Sequence, residues 1–314
     1  MKLDIDDLRF ILALDRVGSL AALAREENVT PPAITKRLGQ LEARLGVRLA
    51  MRTTRRLQLT HEGHLLAQHA TGVIERMQAI EEALQQRSQV VAGKLKVHGP
   101  FGFGRRYLAP LLDTFRASHP QVEAQLFLSD NLVLPSQPVH GRDAFDVLVS
   151  IGEIPDSRWV AHRLAPNRRV LCAAPAYLRG APAIESPADL AHHACLVLRE
   201  NDEDVTLWRF TQREGGRGEP RPQTVRVHPA MESNDGEVIR QWCLAGRGIM
   251  VRSEWDVAAS LAEGRLVALL PRHRLPDADV TALVPQSRIA SARARLFVDM
   301  LKKAFRPRPP WRPA

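Results

Sequence analysis

Apolar residues recur at helical spacing through the first part of the chain and are interrupted by residues that end helices. A first helix is predicted to end at Gly18, and Ser19 can cap a second helix from Leu20 to about Glu27. Thr30 is the expected N-cap of a third helix, which Gly46 ends. Two helices joined by a tight turn, the second rich in basic residues, are typical of a helix-turn-helix.

The third helix is expected to have one buried face and one face that can enter a DNA groove. Ile34, Leu38 and Leu41 are spaced as the buried face. Pro32, Thr35 and Lys36 then lie on the opposite side, near the beginning of the helix. Threonine can bond to several base edges and lysine can reach guanine acceptors in the major groove.

The segment Arg48–Thr60 predicts a hairpin that follows this helix. Its arginines Arg52, Arg55 and Arg56 would contact phosphates or a narrow minor groove, which contributes affinity and no direct base code. Residues 1–60 are therefore predicted to form a winged helix-turn-helix.

Residues 61–90 are predicted to form a long linker helix that joins two copies of the chain. A narrow apolar seam of this kind is best buried against its copy in a second chain. The seam consists of Leu66, Ala70, Val73, Met77, Ile80 and Leu84. His61, His64 and His69 are not expected to bind metal, because only two of them share a face and no carboxylate or thiolate completes the set.

From residue 94 to 305, short β runs alternate with helical segments, which predicts α/β structure with a parallel sheet covered by helices. Candidate crossovers at Pro166-Asn167 and Leu270–Pro276 divide this region into two lobes. Lobe I comprises residues 94–166 and 271–305, and lobe II comprises residues 167–270. A cleft outside the carboxyl ends of the strands is where such sheets bind ligands.

The loops after three of these strands supply candidate ligand contacts. Pro100, Phe101 and Gly102 lie between a strand and a helix, where amides and the helix dipole could hold an anion. Ser129 and Ser150 close the next two strands. The glycine-rich loop lacks GxGxxG and GK[ST], so a nucleotide site is unsupported and a packing turn remains an alternative.

Charge and cysteine content narrow the classes of protein that fit. The formal charge is +9, and the span Thr30–Thr60 holds seven basic residues against Glu42 alone. The basic, proline-rich tail 306–314 is predicted to be solvated and disordered, a solubilising end without a partner.

Three cysteines without metal spacing favour a reducing cytosol. The acidic N-terminus is unlike a signal peptide, and the longest apolar stretch, Val170–Leu178, is about half a membrane span. A cytoplasmic chain that does not enter a membrane is expected.

The sequence resembles the LysR-type transcriptional regulators over almost its whole length. The strongest match is GSLAALAREENVTPPAITKRLGQLEARLGVRLAMRTTRRLQLTHEGHLL, followed by FDVLVSIGEIPDS, RLAPNRRVLCAAPAYL, SNDGEVIRQWCLAGRGI and EGRLVALLP. The resemblance implies a winged helix-turn-helix, a dimerising helix and a two-lobed effector-binding domain similar to periplasmic solute-binding proteins.

By this resemblance, Asn234 would face the ligand and seven residues would touch the operator. These are Thr30, Pro32, Thr35, Lys36, Arg52, Arg55 and Arg56. Related sequences commonly carry arginine where Ser150 stands, in a phrase like FDLAIRIG. The loss of that guanidinium removes a bidentate partner for a carboxylate, so a less anionic or differently placed effector is an alternative.

The expected function is a one-component regulator that binds promoter DNA and whose action a small-molecule effector modulates. A homodimer is expected, with a homotetramer as the family expectation, and RNA polymerase is a candidate further partner. No enzyme activity, metal or cofactor is expected, since GxSxG, HExxH and paired cysteine ligands are missing from the sequence. A non-specific architectural DNA-binding protein and a solute-binding module without a regulatory role are the alternatives.

Overall fold

The computed structural model shows two compact units, one that ends at Gln85 and one that begins at Val91. It describes residues 3–52, 57–85, 91–129, 145–154, 159–199, 205–212, 222–286 and 291–312.

The N-terminal unit begins with three helices whose ends lie at the predicted residues. Gly18 and Gly46 follow the first and third helices with φ of 61° and 73°, the left-handed conformation that glycine adopts without steric cost. Thr30 occupies the N-cap position, although its side chain makes no capping hydrogen bond. The helices are α1 (Ile5–Val17), α2 (Leu20–Glu26) and α3 (Pro31–Leu45).

A short hairpin and a long helix follow. The strands β1 (Ala50–Arg52) and β2 (Leu57–Leu59) are antiparallel, and α4 spans His61–Gln85. The Glu42 carboxylate accepts hydrogen bonds from the amides of Leu49 and Ala50, which ties α3 to the hairpin. The predicted order of helix, wing and linker helix is therefore present.

The first turns of α4 pack inside their own unit, which corrects part of the predicted seam. Ala70 is fully buried, and Leu66 packs against the core that α1, α2 and α3 form. Both residues lie on the face of α4 that covers α1. Val73 and Ile80 are 45% and 61% exposed. The part of α4 that is available to a second chain therefore begins near Val73, and not at Leu66 as predicted.

The C-terminal unit begins with strands and helices that alternate as predicted. The helix after β3 contains one π-helical turn, Gly104–Leu108, between two α-helical segments. The elements are β3 (Gly93–Pro100), α5 (Phe101–Phe103), α6 (Ala109–Ser118), β4 (Val122–Ser129), β5 (Val147–Ile151) and β6 (Trp159–Ala165).

Lobe II is built on a second sheet. A 3-10 helix, Pro187–His192, precedes its second strand. Its elements are β7 (Arg169–Ala173), α7 (Pro175–Leu178), β8 (Cys195–Leu198), β9 (Leu207–Gln212), β10 (Pro222–Arg226), β11 (Pro229–Ser233), α8 (Gly236–Leu244), β12 (Ile249–Ser253), α9 (Glu254–Ala262), β13 (Val267–Ala268) and β14 (His273–Arg274).

The chain then returns to lobe I through β15 (Val280–Pro285) and α10 (Ala292–Phe305). The lobe I sheet has the strand order β4-β3-β5-β15-β6, and the lobe II sheet has the order β11-β8-β12-β7-β13. In lobe I, β4, β3 and β5 are parallel, whereas β15 runs antiparallel to β5 and β6.

The second crossing between the lobes lies later than the predicted Leu270–Pro276. The strand β14 pairs with β9 in a three-stranded sheet of lobe II, so residues up to Arg274 belong to that lobe. Ala278 then donates its amide hydrogen to the carbonyl of Asn167 in the first crossing. The boundary therefore moves from residue 271 to about residue 277.

The C-terminal tail is packed, and the prediction of a solvated, disordered end is wrong for the described residues up to Arg312. Trp311 is 6% exposed, and its ring lies 5.4 Å from that of Tyr107 and 5.7 Å from that of Phe305. Arg312 donates to both carboxylate oxygens of Glu254 on α9, with the shortest distance 2.6 Å. The prolines and basic residues of the tail led to the prediction of disorder, whereas Trp311 anchors the tail in the core of lobe I.

Replacing Trp311 by alanine is expected to lower the free energy of unfolding by roughly 3–5 kcal/mol, because it removes a buried ring from the core of lobe I. Urea unfolding of the full chain measures the change. Lys303→Ala, an exposed substitution on α10, is the control and should stay near the wild-type value. Equal stability of the two variants would show that the tail does not anchor the lobe.

Candidate functional site

The beginning of α3 presents a polar surface. Pro32, Thr35 and Lys36 are exposed, whereas Ile34, Leu38 and Leu41 are buried in the core of the N-terminal unit. The Thr35 hydroxyl donates to the Pro31 carbonyl at 3.1 Å. The structure therefore brings the three candidate recognition residues to one exposed face.

Two nearby arginines have structural partners inside the unit. The Arg37 guanidinium donates to the Asp6 carbonyl at 2.9 Å and lies 4.5 Å from the ring centroid of Phe10. Arg44 pairs with the buried carboxylate of Asp7. Some of the basic residues in this region therefore hold helices together, and others face solvent.

The predicted wing contacts are only partly described. Arg52 ends β1, but its side chain lies outside the described residues, as do Arg55 and Arg56 entirely. Arg48, before the hairpin, is exposed. The strand register pairs Arg52 with Leu57, and Arg55 and Arg56 fall between these two residues in the sequence.

In the C-terminal unit, the carboxyl ends of β3 and β4 meet at one edge of the lobe I sheet. Pro100 is paired with Ser129 in the parallel register. A hydrogen bond of 2.7 Å joins His98 Nε2 and the Ser129 hydroxyl, and Phe145 stacks on the His98 ring at 4.6 Å. Two of the candidate effector positions are therefore neighbours.

Ser150 is buried, although it lies near the carboxyl end of the adjacent strand β5. Its side chain is 1% exposed, and no described group bonds to its hydroxyl. Its contact with an effector stays a prediction.

The glycines of the loop after β3 serve close packing. A β-carbon at Gly102 would lie 2.9 Å from the Trp255 ring, and one at Gly99 would lie 2.6 Å from Leu108. The packing alternative therefore accounts for these glycines, and any ligand contact at Gly102 rests on backbone atoms.

The start of α8 faces the start of α5 across the lobes. Asn234 is exposed, and Asp235 caps α8 by accepting from the Glu237 amide at 2.8 Å. Arg105 of lobe I lies 3.3 Å from the Asp235 carboxylate. This ion pair and the contact of α5 with α8 bring the start of α8 next to lobe I.

A buried amide connects the two crossings between the lobes. Asn167 is 1% exposed, and its Nδ2 donates to the Ala278 carbonyl at 2.8 Å and to the Ser253 hydroxyl at 3.2 Å. Its Oδ1 accepts from the Trp255 amide at 3.4 Å. Sequence reasoning placed a crossover at Asn167 but gave its side chain no role.

Sequence reasoning also missed a buried charge cluster beneath α8. Arg252 and Asp256 are 7% and 6% exposed and form an ion pair of 2.9 Å, and Arg240 lies 3.4 Å from the same carboxylate. The hydrogen bond from Arg240 lowers the pKa of the Glu237 carboxyl. The sequence signal for this cluster was Arg252 itself, which directly follows the apolar run Ile249–Val251.

All three cysteines are buried, and burial raises the pKa of Cys195 to about 12, which favours its protonated thiol. A hydrogen bond with Cys172 lowers the pKa of Cys243. The described residues contain no group of three or more side chains suited to a metal ion. Among the described helices, none is long and apolar enough to cross a membrane.

Two family models match the chain. Residues 5–64 match "Bacterial regulatory helix-turn-helix protein, lysR family", and residues 88–306 match "LysR substrate binding domain". The chain is 34% identical over 302 residues to the HTH-type transcriptional regulator DmlR of Escherichia coli, covering 96% of this chain and 94% of that protein. It is 33% identical over 296 residues to the transcriptional activator TtdR of the same species, covering 94% and 91%.

Solved structures agree with the fold. CrgA, a LysR-type transcriptional regulator from Neisseria meningitidis, has a TM-score of 0.57 and 26% identity and covers 96% of this chain and 98% of its own. The Vibrio cholerae virulence activator AphB has a TM-score of 0.60 at 23% identity, covering 95% and 98%, which supports the fold alone.

The fold and sites define a transcriptional regulator with an N-terminal helix-turn-helix and an effector-binding domain. The chain belongs to the LysR family of transcriptional regulators. This assignment confirms the predicted family, fold class and function over an architectural DNA-binding protein or a solute-binding module alone. The relatives are named as transcriptional regulators, in agreement with a chain that is not an enzyme.

Arg37→Ala is expected to lower the stability of the N-terminal unit by about 1 kcal/mol, because Arg37 bonds to α1 and lies over Phe10. Thermal unfolding of the full chain measures it. Lys36→Ala, the neighbouring exposed lysine, should leave the melting temperature unchanged. Equal melting temperatures of the two variants would show that Arg37 does not stabilise the unit.

Proposed function

We propose that the exposed N-terminal face of α3 reads the operator in the major groove. Pro32, Thr35 and Lys36 would approach the bases, and Thr30 would lie beside them at the start of the helix. The observation that supports this most strongly is the separation of roles on α3: Lys36 faces solvent, whereas Arg37 is bound to its own unit.

The wing would add affinity without reading sequence. Arg52 ends β1, Arg55 and Arg56 follow it in the sequence before β2, and Glu42 attaches this hairpin to α3. Basic residues at this place can contact the DNA backbone. Operator preference and total affinity are then separable properties, carried by α3 and by the wing.

Thr35→Ala and Lys36→Ala are each expected to reduce discrimination between operator and unrelated DNA by roughly 1–3 kcal/mol, because each removes a base contact. Competition binding at several salt concentrations measures the ratio. Arg9→Ala, whose side chain is 64% exposed on α1, is the control and should keep the wild-type ratio. An unchanged ratio in both α3 variants would mean that this face does not read the operator.

The later part of α4 would join two chains. Val73 and Ile80 are exposed, Met77 is half-buried between them, and Leu84, whose side chain is outside the described residues, continues the same spacing. A two-fold dimer of this kind presents two copies of α3 to two DNA half-sites. The family expectation of a tetramer would need a second interface.

Val73→Asp combined with Ile80→Asp is expected to give monomers, because two charges would be buried in the seam. Sedimentation of the purified protein measures the mass. Gln68→Asp lies roughly 140° around the helix from Val73 and should remain dimeric. A dimer that survives the double substitution would exclude α4 as the dimer contact.

In the C-terminal unit, a small-molecule effector would bind between the lobes and contact Pro100, Phe101, Ser129 and Asn234. A carboxylate fits the helix N-termini that face each other at this place. Closure of the lobes about Asn167 would change the spacing or bend between DNA-bound dimers. The regulator would act in the cytoplasm on promoter DNA, with RNA polymerase as a further partner and without a cofactor.

A further inference from the structure

We propose that the C-terminal segment Arg306–Arg312 is a strap that holds lobe II at a fixed angle to lobe I. The segment follows α10 of lobe I and ends on the first residue of α9 in lobe II, where the Arg312 guanidinium binds Glu254. The proposal rests on the proposed closure of the lobes, and it adds the element that such a closure would have to release.

The strap is anchored in lobe I by a single aromatic ring. Trp311 is 6% exposed and packs with Tyr107 and Phe305 in the core of lobe I. The Arg312 amide donates to the Pro309 carbonyl at 3.0 Å, so the chain turns directly before these two residues. Adjacent residues therefore contact different parts of the molecule: Trp311 contacts the core of lobe I, and Arg312 contacts the start of α9.

The start of α9 is the part of lobe II that the strap holds. Arg312 Nε lies 3.1 Å from both carboxylate oxygens of Glu254, and Arg312 Nη2 donates to Oε2 at 2.6 Å. The side chains of Arg312 and Glu254 are 25% and 20% exposed, so solvent screens this pair less than it screens a surface pair. A guanidinium that binds a carboxylate at two points fixes the direction of the contact as well as its length.

Helix α9 has contacts in both lobes, so a hold on its first turn restrains one lobe against the other. Trp255 is 4% exposed, and its ring packs edge-on against Phe103 of lobe I with 5.4 Å between the ring centroids. The carbonyl of Trp255 accepts a hydrogen bond from Arg106 of lobe I at 3.3 Å. Two residues later, Val257 is buried in the core of lobe II with Met250 of β12.

The held residue also lies at the two connections between the lobes. In the first crossing, the Arg168 carbonyl accepts from the Glu254 amide at 2.7 Å. The hydrogen bond to Glu254 raises the pKa of Arg312, and the negative charges of Asp277 and Asp279 in the second crossing act in the same direction. Arg312 therefore attracts carboxylates of α9 and of the second crossing, and its removal would weaken both contacts together.

Hydrogen exchange of the full-length protein without ligand tests the strap. The reporters are the amides of Glu254 and Ala278, which donate to the carbonyls of Arg168 and Asn167 in the first crossing. Arg312→Gln is expected to speed their exchange roughly 5- to 20-fold, because the junction opens more often once the charged pair is lost. The amides of β3 and β8, which are inner strands of the two sheets, should exchange at wild-type rates.

Two further variants identify the ion pair as the restraint. Glu254→Gln should act as Arg312→Gln does, and the double variant should exchange no faster than Arg312→Gln alone, because both substitutions remove the same pair. Arg265→Gln is the matched control, since Arg265 pairs with Glu263 at 2.6 Å at the other end of α9, within lobe II. It should leave the exchange of both reporter amides unchanged.

Unchanged exchange at Glu254 and Ala278 in Arg312→Gln would overturn the proposal. Equal acceleration in β3 and β8 would also overturn it, because that result would show a general loss of stability and no specific hold on the junction. Additive effects in the double variant, or acceleration in Arg265→Gln, would do the same.

Failure of the proposed effector site is a separate result, because exchange is measured without ligand. It would appear as carboxylate binding that Asn234→Ala leaves unchanged, while the reporter amides still respond to Arg312→Gln.

Discussion

The effector-binding half of this regulator depends on one buried amide. Asn167 bonds to the second crossing through Ala278, to the end of β12 through Ser253, and to α9 through the Trp255 amide. Both connections between the lobes meet at this side chain, so the proposed closure of the lobes would turn about it. The ends of α5 and α8, joined by Arg105 and Asp235, lie on either side of the cleft.

Charge acts differently in the two units. In the N-terminal unit the excess of basic residues is divided: Arg37 and Arg44 stabilise the helices, and Lys36 and Arg48 remain exposed. In the C-terminal unit the charges near α8 are paired: Asp256 lies between Arg252 and Arg240, and Asp235 pairs with Arg105. The net charge of +9 does not reveal which basic residues are paired and which are exposed in either unit.

The helices and strands were predictable because caps and periodicity act locally. Gly18 and Gly46 end helices, and the Ser19 side chain caps α2 as predicted. Features that depend on distant residues were not predictable. Leu66 fits a dimer seam by spacing, yet the core of its own unit takes it up. Trp311 lies in a basic proline-rich tail but fills an aromatic core, and the pairing of β14 with β9 moves a lobe boundary. Ser150 stands at the end of a strand by its place in the sequence, yet its side chain is only 1% exposed, which spacing along the chain does not reveal.

Footprinting of the DNA upstream of this regulator's own gene, with the purified full-length protein in the presence and absence of a bound carboxylate, shows whether the effector site controls operator binding. A partly palindromic site should be protected, with half-sites separated by whole turns of the double helix, and the extent of protection should change when the carboxylate is added. Uniform protection of all DNA sequences, or a pattern that the ligand leaves unchanged, would contradict a regulator that couples the cleft between its lobes to the face of α3.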